Sequence, residues 1–364
     1  MITYAKEHQK DEIIYIWDVS FPDTFPAYND LYFEDKYRKE NTLVYLLEDK
    51  IVSCLQMLPY NITYYNHICK TSYISGAATL PDYQKRGIMG ELLSQSFLEM
   101  KNRGDVFTIL IPQEDDLAEY YQKYGYEYCF EYLFNHNMTL PMDIPCCDTL
   151  SVVELDDENI EEAHAYYQQY CNKQNLFILK SFDDFRIIWE DLKLLYGTIL
   201  VCYKSGQVCG ICFYTYFAGG LSVKDLFTDD DTIKAYLLND ITKKYPERKI
   251  FLSNPVPVSF SGDGEISYHG MARILDAEKA LQLYASYYTD LKITIKVNDK
   301  QIAENNGIFH LSKGDCTQQN NKDFDVEVSI GMLTRLLFGY HIDELAPVYN
   351  IFTPQHPYMS LMLD

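Results

Sequence analysis

The sequence predicts an α/β (α+β) chain built of three units. Short strand-like runs alternate with amphipathic helical runs along its whole length. At 364 residues it is too long for one ordinary core. A linker-like run, Pro141 to Cys147, and a fresh strand beginning near His269 divide it into stretches 1–140, 141–268 and 269–364.

In the first stretch, TYAKEHQKDEIIYIWDVSF reads as a short strand and a helix. NTLVYLLEDKIVSCLQMLPYNITYYN reads as strands joined by a hairpin at Glu48-Asp49-Lys50. KTSYISGAATL is a strand, followed by a loop at Pro81-Asp82 and a helix that Gly104 ends. VFTILIPQ is a short buried strand. DDLAEYYQKYGY is a helix stopped at Gly125, and EYCFEYLFNHNMTL is the final strand.

The second stretch opens with a strand and helix in VVELDDENIEEAHAYYQQYCNKQN. It continues with a hairpin turning at Ser205-Gly206. This order resembles that of the first stretch, as a divergent internal duplication would produce. The third stretch begins MARILDAEKALQLYASYY, a strand and then a helix that Asp276 is placed to cap. DLKITIKVND, with a turn at Asn298-Asp299, then GIFHLSKGD and FDVEVSIGMLTRLLFGY, supply further strands and a helix. The tail NIFTPQHPYMSLMLD contains Pro354 and Pro357 and has little helical period. Ile351, Phe352, Tyr358, Met359, Leu361, Met362 and Leu363 are too apolar for a solvated tail. The segment is expected to lie extended and buried over another domain.

Hydrophobic residues at 47% and charged residues at 23% indicate folded domains and exclude general disorder. The net charge of -22, from 53 acids against 31 bases, repels nucleic acid and anionic membrane surfaces. It favours cationic ligands such as amines, and it also serves to keep a chain in solution. Met1 to Lys10 has no apolar run, and no segment reaches the roughly 20 apolar residues of a membrane span. A cytoplasmic protein with no nucleic-acid partner is expected. The 10 cysteines are scattered, and most lie in strand-like runs where they act as small buried hydrophobes. Cys209 and Cys212 have CxxC spacing but no second pair. In a regular strand they point to opposite faces, so no metal is expected.

The chemistry concentrates in SYISGAATLPDYQKRGIMGELL. A strand ends at Thr79, a helix begins near Gly87, and Gln84-Lys85-Arg86-Gly87-Ile88-Met89-Gly90 lies between them. A helix start exposes free N–H groups and a positive dipole end. Glycine there lets a ligand approach the backbone, and Lys85 and Arg86 add full charge. Such a turn suits a pyrophosphate.

Strand, loop, Gln-x-x-Gly and helix together resemble the acetyl-CoA site of the GNAT acetyltransferase superfamily. The usual pattern continues with one residue and then Gly or Ala. Here Met89 stands at that last position and Gly90 follows it. A large apolar residue there, with Pro81 after the strand, resembles the enhanced-intracellular-survival (Eis) branch. YYQKYGYEY is similar to the family's aromatic-Tyr-x-x-aromatic-Gly-aromatic segment, and MARILDAEKAL to the opening of that branch's sterol-carrier-like domain. The resemblance implies a GNAT catalytic domain over 1–140, a degenerate GNAT-like domain over 141–268 and a sterol-carrier-protein-like domain over 269–364. Nothing in the middle stretch matches Gln-x-x-Gly-x-Gly, so no cofactor is expected there.

The resemblance also implies roles. Backbone groups of Ala77, Ala78 and Thr79 would bind the pantetheine and acetyl carbonyl, and Gln84 to Gly90 the pyrophosphate. Gly76 and the two alanines equally suit a tight packing spot. Tyr121 falls at the position of the general acid, with Tyr120 and Tyr124 as its nearest rivals. No acid lies between Tyr73 and Leu80. The Eis branch resembles a design in which the chain's terminal carboxylate enters the active site, which points to Asp364 as base. The implied activity is acetyl-CoA-dependent, metal-free acetylation of a primary amine on a small aminoglycoside-, polyamine- or lysine-like cation. Homo-oligomers are implied, hexamers among them. The competing reading is a catalytically idle protein that binds acyl-CoA or a lipid.

Overall fold

A computed structural model describes residues 1–135, 149–217, 219–255, 264–320 and 323–361. The expected boundary at residue 140, the linker Pro141 to Cys147 and the terminal Asp364 lie outside the described residues. The chain divides into two compact units. One holds Met1–Phe130 and His269–Pro357, and the other holds Glu131–Tyr268 and the described tail residues 358–361. The N-terminal and C-terminal stretches therefore share a unit. No helix among the described residues is long and apolar enough to cross a membrane.

The N-terminal stretch contains β1 (Ile2–Tyr4), α1 (Lys10–Ser20), α2 (Pro26–Leu31), β2 (Thr42–Leu47), β3 (Lys50–Tyr64) and β4 (His67–Thr79). It continues with α3 (Ile88–Asn102), β5 (Phe107–Leu110), α4 (Asp115–Gln122) and β6 (Glu127–Asn135). Glu48 and Asp49 (φ 48° and 64°) join β2 to β3, and Tyr65 and Asn66 (φ 45° and 67°) join β3 to β4. Two left-handed residues in succession match the twist of a two-residue hairpin, so β2 to β4 form an antiparallel meander, and β1 pairs antiparallel with β2 across the two helices. β5 returns parallel to β4 after the α3 crossover.

The middle stretch contains β7 (Leu150–Glu154), α5 (Ile160–Cys171), β8 (Ile178–Leu179), α6 (Phe182–Leu194), β9 (Thr198–Lys204), β10 (Gln207–Phe217), β11 (Gly220–Thr228), α7 (Asp231–Lys244) and β12 (Ile250–Asn254). Its main order repeats that of the first stretch: strand, two helices, a three-strand antiparallel meander, a helix, then a parallel strand. This is the order that the divergent internal duplication expected from the sequence would give. Where α3 starts at a glycine turn, α7 starts at Asp229-Asp230-Asp231. Asp230 already caps the helix by accepting the Ile233 N–H at 2.9 Å. Three acids and an occupied cap make a poor anion site.

One expectation is corrected in β10. Cys209 and Cys212 pack into the same apolar cluster instead of opposite faces. The register shifts between Val208 and Gly210, a bulge at Cys209 that breaks the two-residue alternation. Burial raises both thiols above their ordinary value.

The C-terminal stretch contains β13 (Glu265–Ile274), α8 (Ala277–Tyr287), β14 (Ile293–Asn298), β15 (Gly307–Ser312), β16 (Asp315–Gln319), β17 (Val326–Ser329) and α9 (Ile330–Leu337). β13 pairs antiparallel with β5 from Met271↔Leu110 to Ile274↔Phe107, extending the sheet of the N-terminal stretch. A second sheet, ordered β16-β15-β14-β17, carries α8 and α9. Asp276 caps α8 through the Lys279 N–H at 3.0 Å.

Tyr358, Met359, Ser360 and Leu361 of the tail are buried, whereas Ile351 is exposed. Tyr358 bridges to the middle stretch: its N–H donates to Leu176 O, and its carbonyl accepts from the Ile178 N–H, both at 3.0 Å.

Candidate active site

The site begins with a defect in a strand. β3 pairs with β4 up to Gln56↔Ser75 and resumes at Cys54↔Ala78, so Leu55 faces both Gly76 and Ala77. Gly76 has φ 55°, and a side chain there would overlap the Trp17 ring. This bulge needs glycine twice over, for its backbone and for its neighbour.

On its other edge β4 pairs with β5 only from Thr71↔Phe107 to Tyr73↔Ile109. From Ile74 to Thr79 that edge has no strand partner among the described residues. Ala78 is turned to β3: its carbonyl accepts the Ser53 hydroxyl at 2.8 Å, and the next N–H in phase, Leu80, donates to Val52 O at 3.0 Å. Alternation puts the backbone of Ala77 and Thr79 on the open edge. The Thr79 carbonyl is already taken by Gln84 Nε2 at 3.0 Å, which leaves the Thr79 N–H and both backbone groups of Ala77.

After a short 3-10 turn over Pro81–Tyr83, the chain kinks through Lys85 (φ 60°) and Gly87 (φ 82°) into α3. Glu91 makes the first bond of the helix, to Gly87 O at 3.1 Å. The N–H groups from Lys85 through Gly90 find no acceptor among the described residues. Gln84 to Gly87 are exposed, Met89 is half-buried, and Ile88 and Gly90 are buried. Arg86 donates to Asp82 O at 2.5 Å and lies over the Tyr83 ring at 5.2 Å. A Cβ on Gly87 would meet nothing within 4 Å. The turn thus offers bare N–H groups, two cations and open space in front of them.

Three tyrosines follow on α4 and its exit. Burial raises the pKa of Tyr120, and its hydrogen bond with Tyr124 raises it further. The Tyr124 hydroxyl lies against Gly90, where any Cβ would overlap it. Tyr121 differs from both. It is buried, with its ring against Tyr126 at 5.8 Å, and its phenol is pushed up to about 12. Burial is the whole cause, and no neighbouring charge or hydrogen bond among the described residues offsets it.

Ala77, Ala78, Thr79, Gln84 to Gly90 and Tyr121 all fall in one unit. Sequence reasoning missed Trp17, Ser53 and the Gly90–Tyr124 contact, whose only trace in the sequence is the glycine itself. Among the described residues no group of three or more His, Cys, Asp or Glu side chains is placed to hold a metal.

The family model of the acetyltransferase (GNAT) domain matches residues 1–129, and that of the sterol carrier protein domain matches residues 277–351. A search of curated proteins returns no match. Among solved structures, a GCN5-related N-acetyltransferase from Anabaena variabilis is similar at 17% identity and TM-score 0.83, covering 99% of this chain and 98% of its own. A probable N-acyltransferase from Enterococcus faecalis is similar at 16% identity and TM-score 0.79, covering 99% of each chain. Eis1 from Mycobacterium abscessus is similar at 14% identity and TM-score 0.77, again over 99% of each. These likenesses show a shared fold over the whole length. The chain carries an acetyltransferase (GNAT) domain at residues 1–129 and a sterol carrier protein domain at residues 277–351, the make-up of an acyltransferase.

Proposed function

We propose that the chain transfers acetyl from acetyl-CoA to a primary amine of a small cationic acceptor of the aminoglycoside, polyamine or lysine type. One conjunction carries the reading: an open β4 edge, a helix start with bare N–H groups and a buried phenol with an uncommitted hydroxyl, all in one unit. The residues fit the co-substrate. Gly87 leaves a volume that a Cβ would fill, and the N–H groups of Lys85 to Gly90 suit a pyrophosphate. Ala77 and Thr79 offer strand-like backbone bonds to a pantetheine arm. Bound there, acetyl-CoA supplies a thioester carbonyl as the electrophile.

The chain does the rest. The Ala77 N–H faces the open edge, ready for charge that develops on a carbonyl oxygen. Tyr121 stays protonated at neutral pH because burial holds its phenol near 12, and it gives that proton to the leaving sulfur. The same burial disfavours a free thiolate, so the proton moves as the C–S bond breaks. The hydrogen bond between Tyr120 and Tyr124 favours Tyr121 over both rivals. Asp364 is the proposed base for the ammonium proton. The net charge of -22 supports a cationic acceptor and disfavours nucleic acid. We read the protein as cytoplasmic and homo-oligomeric.

The test is to incubate the protein with acetyl-CoA and, in turn, spermine, Nα-acetyl-lysine and an aminoglycoside, following free thiol and product mass. Acetylated amine is expected with at least one. Thiol release that never exceeds the amine-free blank overturns the reading. Asp364→Asn should slow transfer in a protein that still folds. Undiminished rate would remove Asp364 from the mechanism.

A further inference from the structure

Arg273 of β13 is a large, fully buried side chain in the C-terminal stretch. Its Nη2 donates to both carboxylate oxygens of Asp299, at 2.9 and 2.7 Å. Asp299 also accepts the Gln301 N–H and the Asn305 side-chain amide, each at 2.9 Å. The other two nitrogens of Arg273, Nε and Nη1, have no acceptor among the described residues. The guanidinium lies over the Phe97 ring of α3, 4.5 Å from its centroid. Nη1 stands against Gly125, where a Cβ would overlap it.

Stability alone does not account for this arrangement. A buried ion pair is often matched or bettered by apolar residues of the same size, and two unmet donors add to its cost. What the guanidinium supplies is a flat spacer. Its carbon lies over Phe97 of α3, whose first turn carries the bare N–H groups, and its Nη1 end meets Gly125 (φ 86°), which ends the turn after Tyr121. Tyr126 adds a second route. Its ring lies 5.9 Å from Phe97 and 5.8 Å from Tyr121, and the charge of Arg273 acts on its phenol.

We propose that Arg273 and Asp299 are positioning residues that fix Tyr121 relative to the α3 turn, through Gly125 and Tyr126. The C-terminal stretch is then a working part of the acetyltransferase site. This rests on Tyr121 as the acid.

The test uses the full chain and whichever of spermine, Nα-acetyl-lysine or an aminoglycoside turns over fastest. Arg273→Lys keeps a charge opposite Asp299 but removes the flat spacer, and Asp299→Asn keeps the size but loses the charge. Each should lower kcat about 10- to 100-fold, with KM for acetyl-CoA within about twofold, since misplacement of the acid by an ångström costs that much. In a Tyr121→Phe background, Arg273→Lys should cost less than about threefold more, because residues acting as one unit are not additive. A native kcat in both folded single variants overturns the proposal, as does a fully multiplicative loss in the double variant. Neither result touches the role of Tyr121 while Tyr121→Phe itself is slow. A native kcat in Tyr121→Phe overturns the acid, and the positioning role with it. If neither Arg273→Lys nor Asp299→Asn folds, the pair holds the whole unit and the proposal fails.

Discussion

The Tyr124 hydroxyl occupies the space that a side chain on Gly90 would need, so the exit of α4 closes directly on the first turn of α3. Gly90→Val should destabilise the protein by about 1–3 kcal/mol, as overpacking does. With Tyr124→Ala already in place, the same change should cost less than half as much, because the obstacle is gone. Chemical denaturation of the four proteins measures this. Equal costs in both backgrounds would mean that the two residues are not coupled.

Gly87 poses the opposite case. Its φ of 82° strains any other residue, yet the space in front of it is open. Gly87→Val should therefore lower stability by about 1–2 kcal/mol through the backbone alone. Its larger effect should fall on acetyl-CoA, with Kd by calorimetry rising at least about tenfold as the Cβ enters the cradle. An unchanged Kd would remove the cofactor from this turn.

Tyr121→Phe should reduce kcat by about 10²–10⁴-fold with little change in KM for acetyl-CoA. The wild-type phenol, held near 12, should impose no fall in kcat between pH 7 and 10. Kinetics across that range check both statements, and an equally active Phe variant would shift the role to Tyr120, Tyr124 or water.

Alkaline stability follows from the same burial. The phenols of Tyr37 and Tyr121 rise from 10.0 to about 12, and the Cys54 thiol from 9.0 to about 12, all mainly through loss of solvent. The unfolded chain gives up these protons first. Each group's contribution is therefore complete below its ordinary value and is lost as pH climbs towards 12. The unfolding midpoint should fall steeply above pH 10. A flat midpoint up to pH 12 would contradict this burial.

Local chemistry made much of this fold legible. The turns at Glu48-Asp49 and Ser205-Gly206, the Asp276 cap and the stop at Gly104 depend on adjacent residues, and each is in place. The candidate phosphate turn was readable because Gln84, Lys85, Arg86 and Gly87 are contiguous. Long-range pairing leaves no such trace. Nothing in MARILDAEK announces that Met271 pairs with Leu110, or that Arg273 meets Asp299 below Phe97. The bulge at Cys209 was equally silent, since it breaks the alternation on which strand reading relies. The end of the tail, where Asp364 would act, lies outside the described residues.

The described part of the tail is anchored by charge. Asp225 of β11 is wholly buried and takes a hydrogen bond from Lys180 Nζ at 2.9 Å. It also accepts the Tyr358 hydroxyl. The same tyrosine makes two backbone bonds, with Leu176 and Ile178. Removing one member of a buried ion pair strands the other, at a cost of about 3–5 kcal/mol, whereas removing a neutral donor to it costs about 1.5–3 kcal/mol. Asp225→Ala should therefore destabilise far more than Tyr358→Phe, because only the first leaves Lys180 as an unpaired buried cation. Asp225→Ala combined with Lys180→Met should recover much of the loss. In Tyr358→Phe the ring keeps its packing against Phe177 at 5.2 Å, so the backbone bridge should survive and only the charged anchor weaken. Denaturant titrations of the three variants beside the native protein give the order directly. If Tyr358→Phe proves as costly as Asp225→Ala, the phenol and not the ammonium is the partner that the buried carboxylate depends on.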